Sequence, residues 1–352
     1  MGSFLLRRLG VMALTALTLT FIVFYLTNLD ANLEKFVKTQ LDMRTSDEQV
    51  EQYLVERGYR QNIFKRYGEW LGVAPGWTYT DPDSGALTGR CIAAGATPEE
   101  AADASTFCGL LQGNWGYSTV FREPIGELLA KKLGLTGFLM MWVLIFMVPV
   151  ALIIGVLAGM DEGSKKDRSL SVFSILSTST PEYVSGVILI VVFASRAGGL
   201  RWFNGTAARA MEDATFWNFA LPVATIVLYG VGYIARMTRA SMAEVMQEQY
   251  IRTARLKGVS FWGVVLKHAL RNALIAPFTV IMLQIPWLLT GVVIVETLFN
   301  YKGLGWTLVQ AAGNNDIELL MGVSVVAVIV VILTQLISDI GYVFLNPRIR
   351  VT

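Results

Sequence analysis

The sequence has little of the chemistry on which metal and catalytic sites depend. It contains one histidine, His268, and two cysteines, Cys91 and Cys108, among 352 residues. A zinc site built from protein side chains takes about four ligands, mostly Cys and His, so we predict no metal site. The H-E-x-x-H motif of metalloproteases is excluded because it requires a second histidine.

The glycine-rich and nucleophile motifs of common enzymes are also missing. The chain has no G-x-x-x-x-G-K-[ST] loop for ATP phosphates and no G-x-S-x-G nucleophile turn. The stretch GLGWTL after Lys302 lacks the third glycine of a dinucleotide-binding loop. We therefore predict no catalytic residue and no cofactor bound by this chain, which favours transport or scaffolding over catalysis.

Charged residues are scarce and unevenly spread. They make up 16% of the chain, whereas 54% of the residues are hydrophobic, too apolar for a soluble protein of this length. Five runs of 20 or more residues carry no charge, and a sixth carries only Glu182. These runs are residues 9–29, 133–160, 169–195, 214–235, 272–295 and 319–338. Each can cross a hydrocarbon layer of about 30 Å as a helix, so we predict an all-α membrane protein with six transmembrane helices.

These runs define the predicted organisation. The first run is longer than the apolar region of a signal peptide and no A-x-A-like site follows it, so we interpret it as a retained span. The predicted parts are an N-terminus with the first span at 1–29, a segment of about 100 residues at 30–133, and a core domain at 134–352. Within the core, the predicted spans are 134–159, 170–195, 217–236, 275–297 and 318–344, with a long loop at 237–274.

Basic residues in the short loops predict the orientation. Arg7 and Arg8 precede the first span, three basic residues lie at 165–168, seven lie at 236–271, and Arg348 and Arg350 follow the last span. The loops of the opposite side carry far fewer. By the positive-inside rule both termini face the cytoplasm and the 30–133 segment lies outside. The net charge of only +2 gives no reason to expect nucleic acid as a partner.

The 30–133 segment contains both cysteines. In an oxidising compartment two nearby cysteines usually pair, so a Cys91–Cys108 disulfide is predicted, with two free thiols as the alternative. Ser46 and Gln49 have the spacing of a capping box at the start of a helix.

Four residues within the predicted spans are candidates for a translocation pathway, because polar groups are unusual in lipid and prolines bend helices. The candidates are Glu182, Gln284, Pro286 and Gln335. The alternative is hydrogen bonding between helices.

The stretch YIRTARLKGVSFWGVVLKHALRNALIAP, residues 250–277, is basic and contains no acid. As a helix, its first part places Ala254 and Gly258 on one face, where small residues permit close approach to another protein. A second helix, at about 261–276, would turn Trp262 and Val265 toward the membrane together with Leu266 and Leu270. The two interpretations are a docking element and a basic helix on anionic lipid headgroups.

This stretch resembles the cytoplasmic EAA loop of ABC importer permeases, whose pattern is E-A-A-x3-G-x9-I-x-L-P. Alignment on Gly258 places Arg252, Thr253 and Ala254 at the E-A-A positions. Several positions of this stretch differ from the general pattern. They agree instead with one branch of the family, the dipeptide/oligopeptide/nickel (DppB/OppB-type) permeases. Other fragments resemble that branch in the same order: FLLRRLG, STPEYVSGVILIVVF, ALPVATIVLYGVGYIARMTRASMAEVMQEQYIRTARLKG, VETLFNYKGLGWTLVQAA and NPRIR. KKLGLTGFL departs from the usual RLPxTLxL, and residues 72–111 form an insertion.

The resemblance implies a type I ABC importer permease fold in a bacterial inner membrane. The implied partners are a homologous second permease, two ATPase subunits that bind ATP and Mg, and a periplasmic substrate-binding protein. The implied ATPase-coupling residues are Tyr250, Arg252, Thr253, Ala254, Arg255, Lys257 and Gly258. The expected cargo is di- or oligopeptides, with oligosaccharides or nickel as alternatives. Two other functions stay open, namely an ATP-independent channel or secondary transporter and a membrane receptor or scaffold.

Overall fold

The computed structural model describes residues 2–41, 44–80, 85–92, 96–196 and 200–345, and it is mostly helical. Side chains are described except at 2–5, 286, 289–291 and 342–345. The first part of the chain forms α1 (Gly2–Thr27), α2 (Asp30–Gln40), α3 (Asp47–Glu56), α4 (Ile63–Leu71), β1 (Thr78–Thr80), β2 (Leu87–Gly89) and α5 (Pro98–Ala102). The remainder forms α6 (Ile125–Gly159), α7 (Lys165–Ser179), α8 (Glu182–Phe193), α9 (Phe216–Met246), α10 (Gln249–Leu256), α11 (Phe261–Gly263), a π-helix (Val264–Ala269), α12 (Leu270–Ala273), α13 (Ile275–Leu298), α14 (Leu304–Gly313) and α15 (Ile317–Leu345). Short 3₁₀ turns lie at Leu110–Gln112 and Ala208–Met211.

Within the described residues, four helices are long and apolar enough to cross a membrane. They are Leu6–Thr27, Ile125–Gly159, Phe216–Met246 and Ile317–Gly341. Two further candidates are bent pairs, α7 with α8 at 105° and Phe261–Ala273 with Ile275–Ile285 at 52°. The count reaches six only if each bent pair is one span, so six spans remain a prediction. Arg348 and Arg350, which contribute to the predicted charge asymmetry, lie outside the described residues.

Residues 170–195, predicted as one span, form two helices instead of one, because α7 ends at Ser179 and α8 begins at Glu182. The cause is Pro181. Its ring disfavours helical backbone at the preceding residue, and Thr180 is extended with ψ 119°. Pro181 also has no N–H to donate to the preceding turn. Hydropathy shows the apolar run but not this break.

Two other predicted boundaries also differ. The fourth span was predicted to end at 236, whereas α9 continues to Met246 and takes in the first residues of the predicted 237–274 loop. The second span was predicted to start at 134, whereas α6 begins at Ile125. In both cases charged residues end the apolar run without ending the helix, because Lys, Arg and Glu are good helix formers.

The chain divides into two compact units. The larger comprises residues 1–7, 132–307 and 329–352, and the smaller comprises 8–131 and 308–328. In the larger unit, α9 packs against α7, α8 and α13. Its core includes Met147, Ile226, Val292 and Phe299, all nearly inaccessible to solvent. A Cβ at Gly232 of α9 would lie 2.3 Å from the Ser174 carbonyl oxygen, so α7 and α9 approach closely only because this position is glycine.

The smaller unit has its own core of apolar side chains from α1 to α4 and the first turns of α15. That core includes Phe24, Leu33, Leu54, Trp70 and Ile317. The Ser46–Gln49 capping box at the start of α3 is confirmed. Its effect is to satisfy backbone N–H groups that have no partner within the helix.

Within the 72–111 insertion, β1 and β2 form an antiparallel pair. Cys91 and Cys108 are joined by a disulfide, with Cα atoms 5.5 Å apart.

Candidate functional site

The basic stretch forms a short helix, α10, whose end is fixed by Gly258. The Gly258 N–H donates to the Arg255 carbonyl at 3.0 Å, and the Val259 N–H donates to the Ala254 carbonyl at 3.2 Å. This pair of bonds is the Schellman arrangement, which requires a left-handed residue after the helix. Gly258 has φ +78°, and a Cβ there would meet no atom within 4 Å. Backbone conformation, rather than space, therefore requires glycine at this position.

One face of α10 is buried within the larger unit. Ile251 is 0% exposed and Ala254 is 6% exposed. They belong to an apolar cluster with Met242 of α9 and with side chains of the π-helix and α12, namely Val264, Val265, Ala269 and Ala273. The cluster joins α10 to the end of α9 and to the elements that lead into α13.

The other face of α10 is open to solvent. Leu256 is 80% exposed and Tyr250 is 39% exposed. Leu256 was not among the predicted coupling residues, but besides Tyr250 four of those residues are exposed, namely Arg252, Thr253, Arg255 and Lys257. Gly258 is exposed as well, whereas Ala254 points into the cluster. The expectation that Ala254 and Gly258 form one small-residue docking face is therefore wrong, because burial of Ile251 turns Ala254 inward.

After Gly258 the chain returns through several short elements instead of the one helix predicted at about 261–276. The Ser260 hydroxyl accepts from the Gly263 N–H at 3.3 Å and starts α11. Inside the π-helix Val265 is buried, while Leu266 is exposed. The prediction that Val265 lies on the same outward face as Trp262 and Leu266 is therefore wrong. The prediction assumed an α-helix with 3.6 residues per turn. A π-helix has more residues per turn, so Val265 and Leu266 face different directions from those expected.

A hydrogen bond ties the exposed helix to this return. Asn272 Nδ2 of α12 donates to the Tyr250 hydroxyl oxygen at 2.9 Å. Tyr250, one of the predicted coupling residues, therefore contributes to the attachment of α10 while its ring remains partly open.

An ion pair that the sequence did not reveal joins α7 to α9. Asp167 of α7 is 2% exposed. Arg239 of α9 donates to both of its carboxylate oxygens, with Nη2 2.7 Å from Oδ2. The Gly163 N–H and the Ser171 hydroxyl also donate to Asp167. The turn between α6 and α7 is thus attached to α9.

Glu162 in that turn extends the attachment. Gln247 Nε2, just after α9, donates to Glu162 Oε2 at 3.1 Å. Arg239 Nη2 lies 3.8 Å from Glu162 Oε1. One sequence signal was available, the Ser164-x-x-Asp167 spacing typical of a helix start. The partner on α9 could not be inferred from that spacing.

An open groove of about 470 Å³ lies beside α10. Its lining includes Asp161, Glu162, Met246, Gln247, Arg255 and Phe261. The end of α9, the α6–α7 turn and the exposed face of α10 therefore form one continuous surface with charges of both signs and apolar side chains.

A second buried carboxylate was also missed. Glu296 at the end of α13 is 0% exposed and accepts from the Trp306 N–H at 2.9 Å. The Thr136 hydroxyl of α6 donates to Glu296 and accepts from the Leu304 N–H at 2.8 Å. Glu296 therefore caps the start of α14, where backbone N–H groups lack helical partners.

The candidate pathway residues differ in their burial. Glu182 and Gln284 are each 8% exposed, whereas Gln335 on α15 is exposed. No hydrogen bond or ion pair links these three side chains to one another among the described residues. Pro286 lies in α13, and its side chain is outside the description.

Comparison with known proteins identifies the family. Residues 151–351 match the model of the binding-protein-dependent transport system inner membrane component. The chain belongs to this family. A probable peptide ABC transporter permease (y4tP) of Sinorhizobium fredii is 36% identical over 68% of this chain and 77% of its own length. The resemblance to DppB/OppB-type ABC permeases is thereby confirmed, and the chain is an inner-membrane transport subunit whose family works with ATPase and binding-protein partners.

Two other proteins are similar to this ABC permease. A putative peptide permease of Brucella ovis is 32% identical over 69% of the chain and 77% of its own length. The glutathione transport system permease GsiC of Escherichia coli is 34% identical over 68% of the chain and 76% of its own length. Among solved structures, an amino acid ABC transporter with histidines matches with a TM-score of 0.48 at 14% identity, covering 61% of this chain and 93% of that chain.

Proposed function

We propose that this permease is one half of the membrane pathway of an ATP-driven, binding-protein-dependent importer of di- or oligopeptides. The peptide assignment is supported by similarity to relatives named as peptide permeases. Oligosaccharides and nickel are the alternative cargoes. The scarcity of His and Cys gives nickel no support.

The exposed face of α10 is the proposed contact with the ATPase. The solvent exposure of this face is the observation on which the proposal rests. A helix with 80% of Leu256 exposed between Arg255 and Lys257 presents an apolar anchor flanked by cations. Such a surface is suited to a partner groove with an apolar floor and acidic edges. Similarity to ABC permeases, whose family works with ATPase partners, favours a protein partner over anionic headgroups.

The buried face of α10 gives a physical route for force. ATP-driven closure of two ATPase subunits would draw this helix and its counterpart on the second permease together. Movement of α10 would pass through Ile251 to Met242 of α9 and to the π-helix and α12, which lead into α13. The Asp167–Arg239 pair would carry the same displacement to α7. Rigid-body motion of packed helices is the expected response, since close-packed interiors transmit strain.

The proposed assembly contains this chain, a homologous permease, two ATPases that bind ATP and Mg, and a periplasmic binding protein. Both termini and α10 are proposed to face the cytoplasm. Glu182, Gln284, Pro286 and Gln335 remain candidates for the pathway, with burial of Glu182 and Gln284 favouring a position inside the helix bundle.

Reconstitution in liposomes tests the coupling role. With all partners present, we expect ATP-dependent peptide uptake, and Leu256→Asp should leave ATP hydrolysis measurable while uptake falls at least tenfold, because the anchor becomes an anion between two cations. The matched control is Val55→Asp, another exposed apolar residue on a helix, 56% exposed on α3. Normal coupled uptake by the Leu256 variant, or uptake without any ATPase, would contradict the proposal.

A further inference from the structure

The smaller unit contains a cavity of about 460 Å³ that plays no part in the proposed coupling route. It lies among α4, the strand β2 and the first turn of α15. Aromatic side chains of Tyr59, Trp70 and Trp77 line it, together with Glu69 and Arg90. This volume is within the usual range for small-molecule sites, which combine aromatic walls with a few polar groups.

Glu69 is the polar group that most needs a partner. The residue is 2% exposed, and its Oε1 has no hydrogen-bond partner among the described residues. Lys65 Nζ is 3.9 Å away, beyond hydrogen-bonding distance. Burial raises the pKa of the Glu69 carboxyl. The ion pair with Lys65 is long and lacks a hydrogen bond, and a buried carboxylate so weakly paired is costly, so the site favours a donor carrying positive charge.

Arg90 is a cation with an unused hydrogen-bond donor at the same cavity. It follows β2 and lines the same cavity, and its Nε is buried without a hydrogen-bond partner in the described part of the chain. The charges of Arg90 and Glu69 are close enough that Arg90 lowers the pKa of Glu69. Among the described residues the two side chains form no ion pair within 4.0 Å, although both line the cavity.

The guanidinium of Arg66, a third charged group at the cavity, already has partners within the protein, so we do not assign it to a ligand. It donates to the Asn28 side-chain oxygen and stacks over the Tyr59 ring at 5.0 Å. Burial lowers the pKa of Arg66, and nearby Tyr59 and Glu69 oppose this effect. Among the described residues that line the cavity, the buried side-chain atoms without a hydrogen-bond partner are Glu69 Oε1 and Arg90 Nε.

We propose that this cavity binds a small zwitterion, an amino acid or dipeptide, with its ammonium at Glu69 and its carboxylate at Arg90. The rings of Trp70 and Trp77 supply apolar walls and electron-rich faces for the ammonium. A neutral sugar could stack on the same rings, but its hydroxyls would not neutralise either charge. The inference does not rest on the proposed transport function, because the site lies within the smaller unit and requires no ATPase.

Equilibrium dialysis of dialanine against the full chain in lipid nanodiscs tests the site. We expect saturable binding at one site per chain. Glu69→Gln and Arg90→Gln should each weaken binding at least tenfold, because each removes one charge contact. Glu48→Gln, on the exposed face of α3, is the matched control and should bind as the unmodified chain does.

Thermal unfolding gives a second readout that separates loss of binding from misfolding. Glu69→Gln removes a buried charge whose ion-pair partner, Lys65, lies 3.9 Å away, so this variant should fold and unfold at about the same or a higher temperature without ligand. Dialanine should raise the unfolding temperature of the unmodified chain but not of the variant. Absence of saturable dialanine binding to the unmodified chain would overturn the proposal. So would equal binding of N-acetylalaninamide or maltose, which lack the two charges, or unchanged binding by Glu69→Gln.

Discussion

Gly258 is required for its backbone conformation at the end of α10. The sequence had suggested that its small size permits close approach of another protein. Its φ of +78° lets two carbonyls at the end of α10 receive hydrogen bonds, and no atom lies within 4 Å of an added Cβ. The sequence correctly suggested a glycine break between two helices. It did not show that Ala254, one helical turn before Gly258, is buried, because burial depends on which face of α10 meets the π-helix.

Substitutions at Gly258 should therefore follow backbone preference instead of side-chain size. Gly258→Val should destabilise the end of α10 by about 2 kcal/mol, because β-branched residues strongly disfavour positive φ. Gly258→Asn should cost well under half as much, since asparagine tolerates this region. Amide hydrogen exchange of residues 249–258 measures both effects. If Asn and Val were equally harmful, side-chain contact with a neighbour would be the better explanation.

At the scale of elements, apolar runs predicted where most long helices lie but not how they bend. Residues 170–195 read as one span, yet Pro181 divides them at 105°. The π-helix at Val264–Ala269 left no mark in the hydropathy pattern, since each residue there is an ordinary helix former. Pairings such as Arg239 with Asp167 join distant parts of the chain, and one sequence contains no information on which distant residues meet.

The two faces of α10 should respond differently to the same truncation. Ile251→Ala removes a fully buried side chain, and we expect the free energy of opening α10 to fall by about 2–4 kcal/mol. Leu256→Ala removes an 80% exposed side chain and should change that free energy by less than about 0.5 kcal/mol. Hydrogen exchange of α10 measures the stability of each variant, and coupled uptake measures function.

The pattern expected is that Leu256→Ala lowers uptake while α10 stays protected, whereas Ile251→Ala lowers uptake and protection together. Full uptake by Leu256→Ala would show that the Leu256 side chain is not part of the coupling surface. Unchanged exchange in Ile251→Ala would show that the apolar cluster does not hold α10 in place.

At the scale of the whole molecule, the distribution of basic residues predicts which side of the membrane each loop faces. Seven Lys and Arg residues lie at 236–271, around α10, and translocating them would be costly. The segment with α3 is predicted on the opposite side. This asymmetry can be tested with single thiols, because both native cysteines are joined in a disulfide and leave no thiol to react with maleimide.

Lys257→Cys and Val55→Cys place one thiol at an exposed position on α10 and on α3. A membrane-impermeant maleimide added to spheroplasts should label the Val55 variant and not the Lys257 variant, and inverted vesicles should give the reverse result. The unmodified chain, as the control, should be labelled in neither preparation, and labelling there would show that the cysteines are free. Labelling of both variants from the same side would contradict the orientation. Labelling of the Lys257 variant only from outside would place α10 out of reach of any cytoplasmic ATPase, and the coupling proposal would fail with it.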